Sequence, residues 1–458
     1  MSNEVYLQSY TPSSEPRVES ATSATSAAAP KVLPEGSILP FVLVVVLFFI
    51  WGMSNNLTDI LVQQFRKGFN LSQLQAQMVQ SAVFFGYFCM ALPAALLMRR
   101  WGYKAGILIG LCTFGVGTLL FWPAAVIGQY GPFLLALYVV GCGSAMLETA
   151  ANPLVAQMGA GETSERRLNF AQAFNPPGTI TGVLVGTYFI FSGVELAPDK
   201  VAQMKAAGTY AGYLHSEIMR VVPTYVALGF AVLLWALVIG LTRFPAIAGG
   251  ASALKGESVG SFRELKAYPH LWLAVVAQFF YVGAQVTTWS AFIPYMKQYT
   301  AVTEREAGWF LTGNLILLLI GRFASTWLMR WIRPVKMIAV YAIVNSLLMI
   351  FAVVHPGFAG AISVMTTSFF MSMMFPTIFA LGVKGLGRNT KLGGALIVMS
   401  VAGGAVLPPV LGAIARATGR LALGYIVVVA AYAVILGYCL LQKRDVSFQS
   451  VDRAPEIF

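Results

Sequence analysis

Two carboxylates fall inside the long apolar stretches of this 458-residue chain. Of its 18 acidic residues, only Asp59 and Glu148 lie well inside predicted helices, whereas the others fall in tails, in loops or at helix mouths. A carboxylate at the centre of a bilayer costs about 2.5–3.5 kcal/mol, so it is usually retained where it works in a polar cavity. Loss of water favours its neutral form, which suits the group to bind and release a proton. We therefore predict that Asp59 and Glu148 carry protons; a carboxyl group permanently hydrogen-bonded between helices is the alternative.

Amide and aromatic side chains recur at helical spacing on four predicted helices. Asn55, Asn56 and Asp59 share one face of the first helix, and Glu148 and Asn152 are an i, i+4 pair on the fourth. Paired amide and carboxyl groups can hydrogen-bond adjacent hydroxyls, and aromatic rings can pack on the apolar face of a sugar. Ordinary polar packing between helices is the alternative. The predicted substrate-binding set is Asn56, Glu148, Asn152, Gln172, Asn175, Gln278, Tyr281, Gln285 and Trp289.

Arg322 is the one cation predicted to lie inside a helix, the eighth. It could neutralise a carboxylate or contact the ligand, and it could equally satisfy backbone carbonyls. The sequence leaves these roles open.

Other chemistries lack their motifs. The four cysteines show no CxxC or CxxH spacing, and the three histidines fall in loops or at helix ends. The sequence has no Walker loop, nucleophile elbow or HExxH motif. We therefore predict no metal, no cofactor and no enzymatic activity, and any uphill transport must use an ion gradient.

Composition indicates an all-α integral membrane protein. The chain is 57% hydrophobic and 10% charged, with a mean hydropathy of +0.72, whereas soluble domains carry about 25% charged residues. The net charge of +12 comes from short basic clusters between apolar runs, which argues for membrane topology rather than nucleic-acid binding. The predicted transmembrane spans are 38–65, 73–98, 104–127, 132–157, 167–192, 222–242, 270–297, 307–329, 335–355, 360–385, 391–415 and 421–441.

The spans divide into two halves of six. We predict a disordered tail over 1–37, half-domains over 38–243 and 270–442, a linker over 244–269 and a second tail over 443–458. Leu97-Met98-Arg99 and Leu328-Met329-Arg330 end corresponding helices, as expected of two repeats in a major facilitator fold. Basic residues number fifteen in connections on the side of the N-terminus and nine on the other, which predicts cytoplasmic termini.

Several segments resemble the bacterial fucose–proton symporter family of the major facilitator superfamily. These segments are Asn55-Asn56-Leu57-Thr58-Asp59-Ile60, Gln80-Ser81-Ala82-Val83-Phe84-Phe85-Gly86-Tyr87, Leu147-Glu148-Thr149-Ala150-Ala151-Asn152-Pro153, Arg167-Leu168-Asn169-Phe170-Ala171-Gln172-Ala173-Phe174-Asn175, Tyr281-Val282-Gly283-Ala284-Gln285 and Phe375-Pro376-Thr377-Ile378-Phe379. The resemblance implies import of a monosaccharide with a proton, L-fucose or a related hexose or deoxyhexose, across the cell inner membrane. It implies that Asp59 and Glu148 take up the proton and that Glu148, Gln172 and Asn175 contact the sugar. We expect a multi-pass protein that acts as a monomer in the lipid bilayer.

Alternatives remain within and outside this family. A glucose/galactose or amino-sugar carrier of the same family is the first of them. A drug exporter is less expected, because exporters favour wide apolar cavities and these faces are rich in amides. A sugar sensor that transports nothing would need a folded signalling domain, for which neither the tail nor the linker is long enough.

Overall fold

The computed structural model describes residues 37–69, 71, 75, 78–190, 198–245, 248 and 261–451. Within these ranges all regular secondary structure is helical. The N-terminal tail predicted over 1–37 lies outside the described residues except for Ser37, as do most of the linker and residues 452–458.

The helices of the first half follow the predicted spans, with two additions. They are α1 Ile38–Gly68, α2 Met78–Leu119, α3 Phe121–Ile127, α4 Tyr130–Gln157, α5 Ser164–Gln172, α6 Asn175–Val185, α7 Pro198–Ala206, α8 Tyr210–Met219 and α9 Val221–Leu241. The connection 193–221, predicted without helices, contains α7 and α8. The fifth span is interrupted between α5 and α6, directly before Pro176 and Pro177.

The helices of the second half begin with a short segment at the end of the linker. They are α10 Phe262–Leu265, α11 Pro269–Ser290, α12 Phe292–Tyr299, α13 Glu304–Leu328, α14 Pro334–Val354, α15 Phe358–Met371, α16 Met374–Val383, α17 Thr390–Met399, α18 Gly403–Thr418, α19 Leu421–Gly424 and α20 Ile426–Val451. The last helix runs ten residues beyond the predicted end of the twelfth span at 441. The eleventh span is interrupted at Ser400–Ala402, and α18 continues through Pro408 and Pro409.

Twelve membrane crossings follow from these helices. Ten stretches among the described residues are long and apolar enough to cross a membrane. One of them, Met78–Ile127, holds two crossings, because Gly102 has a left-handed φ of 83° that divides α2. The interrupted α5 and α6 supply the remaining crossing.

Helix packing repeats between the two halves. In the first half α1 packs on α6, the two parts of α2 pack on α4, and α2 also packs on α9. In the second half the corresponding spans pair in the same way: α11 with α18, α13 and α14 with α15, and α14 with α20. The predicted internal repeat is therefore present in the tertiary structure.

Glycines bring α6 unusually close to α1. Gly178 and Gly182 on α6 and Gly186 directly after it stand four residues apart, and each faces α1. A Cβ at Gly182 would lie 2.5 Å from the Met53 carbonyl oxygen, so only glycine fits at this separation of the helices. This contact sets the spacing between the first and fifth spans, which both carry predicted site residues.

The halves contact each other mainly at one end of the bundle. There α5 packs on α16, and α17 packs on α2 and α4, whereas the contact of α6 with α13 lies beyond the interruption after Gln172. The Glu165 carboxylate of α5 lies 2.9 Å from Lys384 Nζ, which follows α16, so we call this the Glu165 end.

The end of the linker is fixed to the second half. The carboxylate of Glu264 in α10 accepts hydrogen bonds from Arg388 (2.8 and 3.1 Å) and from Asn389 (2.9 Å). Trp272 of α11 donates from Nε1 to the Leu265 carbonyl at 3.1 Å. The bonds of Glu264 attach α10 to the connection between the tenth and eleventh spans, and the bond of Trp272 attaches it to α11.

Candidate functional site

Helix interruptions meet at mid-depth between the halves. Helix α5 ends at Gln172, and α15 ends at Met371 just before Ser372. The last carbonyls of a helix lack partners within it, so an interruption inside a membrane places acceptors where side chains must satisfy them.

Glu148 is buried in the first half, on α4. Its side chain is only 2% exposed, and neither carboxyl oxygen has a hydrogen-bond partner among the described residues. Tyr87 and Asn152 are its polar neighbours, and Tyr87 also interacts with Trp51 and Ser144. A buried carboxyl group without a fixed partner is available to a proton and to a hydroxyl of a ligand.

Asn152 and Gln172 join this carboxylate in one polar cluster. Gln172 Nε2 donates to Asn152 Oδ1 at 2.8 Å, which ties α5 to α4. Both residues are buried, and the Asn152 amide nitrogen has no partner in the described part of the chain. The structure therefore brings three predicted site residues together as donors and acceptors.

Two predicted residues, Asn56 in the first span and Asn175 in the fifth, lie along the contact of α1 with α6. Asn175 Nδ2 donates to the Phe48 carbonyl at 3.3 Å, and Asn56 lies beside Gly182. Asn55 is exposed. Asp59 lies on α1, but its side chain is outside the described part of the structure.

The predicted residues of the seventh span all lie on α11, in the second half. Gln278 is fully buried, and neither polar atom of its amide has a partner among the described residues. The Tyr281 hydroxyl donates to the Met371 carbonyl at 3.0 Å, and Trp289 Nε1 donates to Ser368 Oγ at 3.2 Å. Gln285 is partly buried.

Polar residues outside the predicted site set lie beside these side chains in both halves. Tyr87 and Ser144 lie beside Glu148, and Ser368 connects Trp289 to Asn314 by a 3.2 Å hydrogen bond. Tyr87 belongs to a segment that carries the family resemblance, so it could have been predicted from that segment. Ser144 and Ser368 could not have been predicted as site residues, because a single serine in an apolar helix is common.

Arg322 binds backbone carbonyls. It is 4% exposed, and it donates from Nε to the Ser372 carbonyl at 2.7 Å and from Nη1 to the Gln172 carbonyl at 2.8 Å. The contact with backbone carbonyls is therefore present, whereas a role with a carboxylate or a ligand stays a prediction.

Two carboxylates predicted to lie in connections or at helix mouths are also buried. Glu165 pairs with Lys384 at the Glu165 end, and Glu217 of α8 lies 3.8 Å from Arg220 and accepts from Gln64 Nε2 at 3.3 Å. A basic partner offsets much of the cost of burying each charge. Their pairing distinguishes them from Glu148.

Comparisons with known proteins agree with this architecture. The sequence profile described as Major Facilitator Superfamily matches residues 42–408. The L-fucose-proton symporter of Escherichia coli (strain K12) is 40% identical over 410 residues, covering 89% of this chain and 94% of that protein. The glucose/galactose transporter of Brucella abortus biovar 1 (strain 9-941) is 34% identical over 401 residues, covering 87% and 93%.

A solved structure is similar over the same region. The crystal structure of the transporter FucP in the outward conformation superposes with a TM-score of 0.80 at 39% identity, covering 88% of this chain and 98% of that chain. These relatives are transporters rather than enzymes, as the sequence predicted. The chain therefore belongs to the major facilitator superfamily and, within it, to the family of the fucose–proton symporters.

Proposed function

We propose that this protein is a proton-coupled symporter that imports a monosaccharide, L-fucose or a related hexose or deoxyhexose, by alternating access. The observation that carries the proposal is the cluster of Glu148, Asn152 and Gln172, buried beside the interface of the halves with carboxyl and amide groups available. The 40% identity to an L-fucose-proton symporter supports the substrate class.

The cluster suits both tasks of a symporter. A sugar hydroxyl can donate to the Glu148 carboxylate and accept from the Asn152 amide nitrogen, so binding satisfies atoms that otherwise lack partners. Protonation of Glu148 changes this carboxylate from an acceptor into a donor, which links sugar affinity to proton occupancy. Asp59, on α1, is the main proton carrier in this scheme. Glu148 links the occupancy of the sugar site to protonation.

The proposed orientation places the Glu165 end in the cytoplasm. The basic clusters around Arg166, Arg330 and Arg388 occupy connections on this side, as the positive-inside rule expects. Because the halves touch mainly at that end, this arrangement corresponds to a state open to the outside. It also gives cytoplasmic termini in the cell inner membrane, with the monomer as the working unit.

A glucose or galactose carrier is the second candidate. The Brucella abortus relative at 34% identity favours it, and the polar cluster offers groups that any hexose could engage.

The test is proton uptake by vesicles that contain the purified protein. Each of a panel of hexoses, deoxyhexoses and amino sugars is added in turn, and the sugar that drives proton entry identifies the substrate. Asp59→Asn should abolish accumulation while sparing sugar binding, and Glu148→Gln should impair both. Sugar binding without proton uptake in the unmodified protein would reject the symport proposal, and accumulation by Asp59→Asn would reject the assignment of the carrier.

A further inference from the structure

Helix α5 makes three polar contacts to the second half. Two of them are made by the side chains of Glu165 and Asn169, which stand at i and i+4 and so share one face of the helix. The Glu165 carboxylate binds Lys384 at 2.9 Å, and Asn169 Nδ2 donates to Thr377 Oγ1 at 2.9 Å. The third contact is made by the backbone of Gln172, whose carbonyl accepts from Arg322. One nine-residue helix thus docks the first half on the second.

The third contact joins two interrupted helices. The Gln172 carbonyl ends α5 in the first half, and the Ser372 carbonyl follows α15 in the second. Such carbonyls carry the negative end of the helix dipole, which a buried cation stabilises. The planar guanidinium provides Nε and Nη1 in a fixed geometry for the two acceptors, which the point-like ammonium of lysine does not reproduce.

Gln172 is shared between this contact and the site. Its carbonyl is held by Arg322, and its side-chain amide is bound to Asn152, which lies beside Glu148. The position of the amide therefore depends on the position of the end of α5, and that end is held from the opposite half.

We propose that Arg322 is a positioning residue that acts through the Gln172 backbone and holds the Gln172 amide in the site only while the halves are docked at the Glu165 end. This inference rests on the proposed function. When the halves separate at that end, Arg322 keeps its bond to Ser372 in its own half and loses its bond to Gln172. The amide is then no longer fixed from the second half, so sugar affinity falls on the side where the sugar is released.

The first experiment measures docking without any sugar. Ala380 is fully buried and lines a cavity of about 250 Å³ between the halves at the Glu165 end. Ala380→Cys, in a background without the four natural cysteines, reports opening of this end through labelling by a water-soluble maleimide. Arg322→Lys should raise the labelling rate, and Thr377→Val should do the same by removing the contact to Asn169.

Gln172→Ala distinguishes the role of the Gln172 carbonyl from the role of its side-chain amide. This variant removes the amide but keeps the carbonyl that Arg322 binds, so labelling of Ala380→Cys should stay slow. Faster labelling in Gln172→Ala, or unchanged labelling in Arg322→Lys, would overturn the proposal. The Gln172→Ala arm remains decisive if the Arg322 variant fails to fold.

The second experiment is a double-mutant cycle on L-fucose affinity. Arg322→Lys and Gln172→Ala should each weaken binding roughly tenfold. The affinity of the double variant for L-fucose should be about that of the single variant with the lower affinity, because both changes remove the same amide contact. Thr377→Val opens the same end, so it too should cause little further loss of affinity when it is added to Gln172→Ala. A multiplicative loss for Arg322→Lys with Gln172→Ala would show that Arg322 does not act through Gln172.

The two experiments separate the two proposals. If the unmodified protein binds no sugar of the panel, the proposed function fails, while the labelling arm still tests the contact of Arg322 with Gln172. If sugar binds and the cycle is multiplicative, the function stands and this inference fails.

Discussion

Gly182→Ala tests whether the contact between α1 and α6 positions the site. The added Cβ would lie 2.5 Å from the Met53 carbonyl oxygen and 3.2 Å from the Cβ of Asn56. The Met53 oxygen belongs to the backbone, so rotation of a side chain cannot relieve this clash. The change therefore pushes α6, and Asn175 at its start, away from α1.

The size of the effect follows from the geometry. Ordinary Cβ contacts begin near 3.4 Å, so the helices must separate locally by about 0.9 Å. Overpacking of this kind costs about 1–3 kcal/mol of stability. The hydrogen bond from Asn175 to the Phe48 carbonyl is already 3.3 Å long and should be lost, so sugar affinity should also fall, by roughly tenfold.

Gly437→Ala is the matched control. Gly437 lies in α20, and a Cβ there would meet nothing within 4 Å. This change should be neutral or stabilise the protein by about 0.5–1 kcal/mol, because alanine loses less backbone entropy in a helix. Thermal unfolding in detergent and equilibrium sugar binding are measured for both variants. If Gly182→Ala matches Gly437→Ala in both measurements, the close contact does not position the site.

Three further predictions concern the binding amide, the tail and the linker. Asn175→Ala should weaken sugar binding by roughly 1–3 kcal/mol in calorimetry, because a polar partner is lost at a partly buried position; unchanged affinity in a folded variant would place the sugar elsewhere. Deleting residues 1–30 should leave uptake intact, because their composition cannot form a core; normal insertion with lost uptake would contradict this. Hydrogen bonds from Asn389 and Arg388 hold the pKa of Glu264 below its usual range, so the stability that they add is complete above the usual pKa of about 4.3 and is lost as the pH falls through the lower folded value. Hydrogen exchange at Phe262–Leu265, corrected for the intrinsic rate, should accelerate only in that acid range, and in Glu264→Gln it should be fast at every pH.

The sequence predicted the features that leave a signal in residue type. Apolar runs of spanning length located the membrane helices, and the cost of a buried charge singled out Glu148. The partners of Arg322 could not be predicted, because they are backbone carbonyls whose availability depends on where two distant helices are interrupted. The burial of Glu165 was missed for a similar reason, since its partner Lys384 lies 219 residues away in the other half. The two helices of the connection 193–221 were missed because they have only nine and ten residues, which is too short for a spanning segment.

The attachment of α10 determines where this chain can be divided. Since Glu264 is bound by Arg388 and Asn389, the segment from Ser261 onward belongs structurally to the second half. A cut between residues 249 and 260 gives two polypeptides with six crossings each. The downstream polypeptide retains α10 together with the hydrogen bonds that attach it to the second half. Separate genes for the two pieces then provide a fragment-complementation system in which reassembly depends on the docking face of α5.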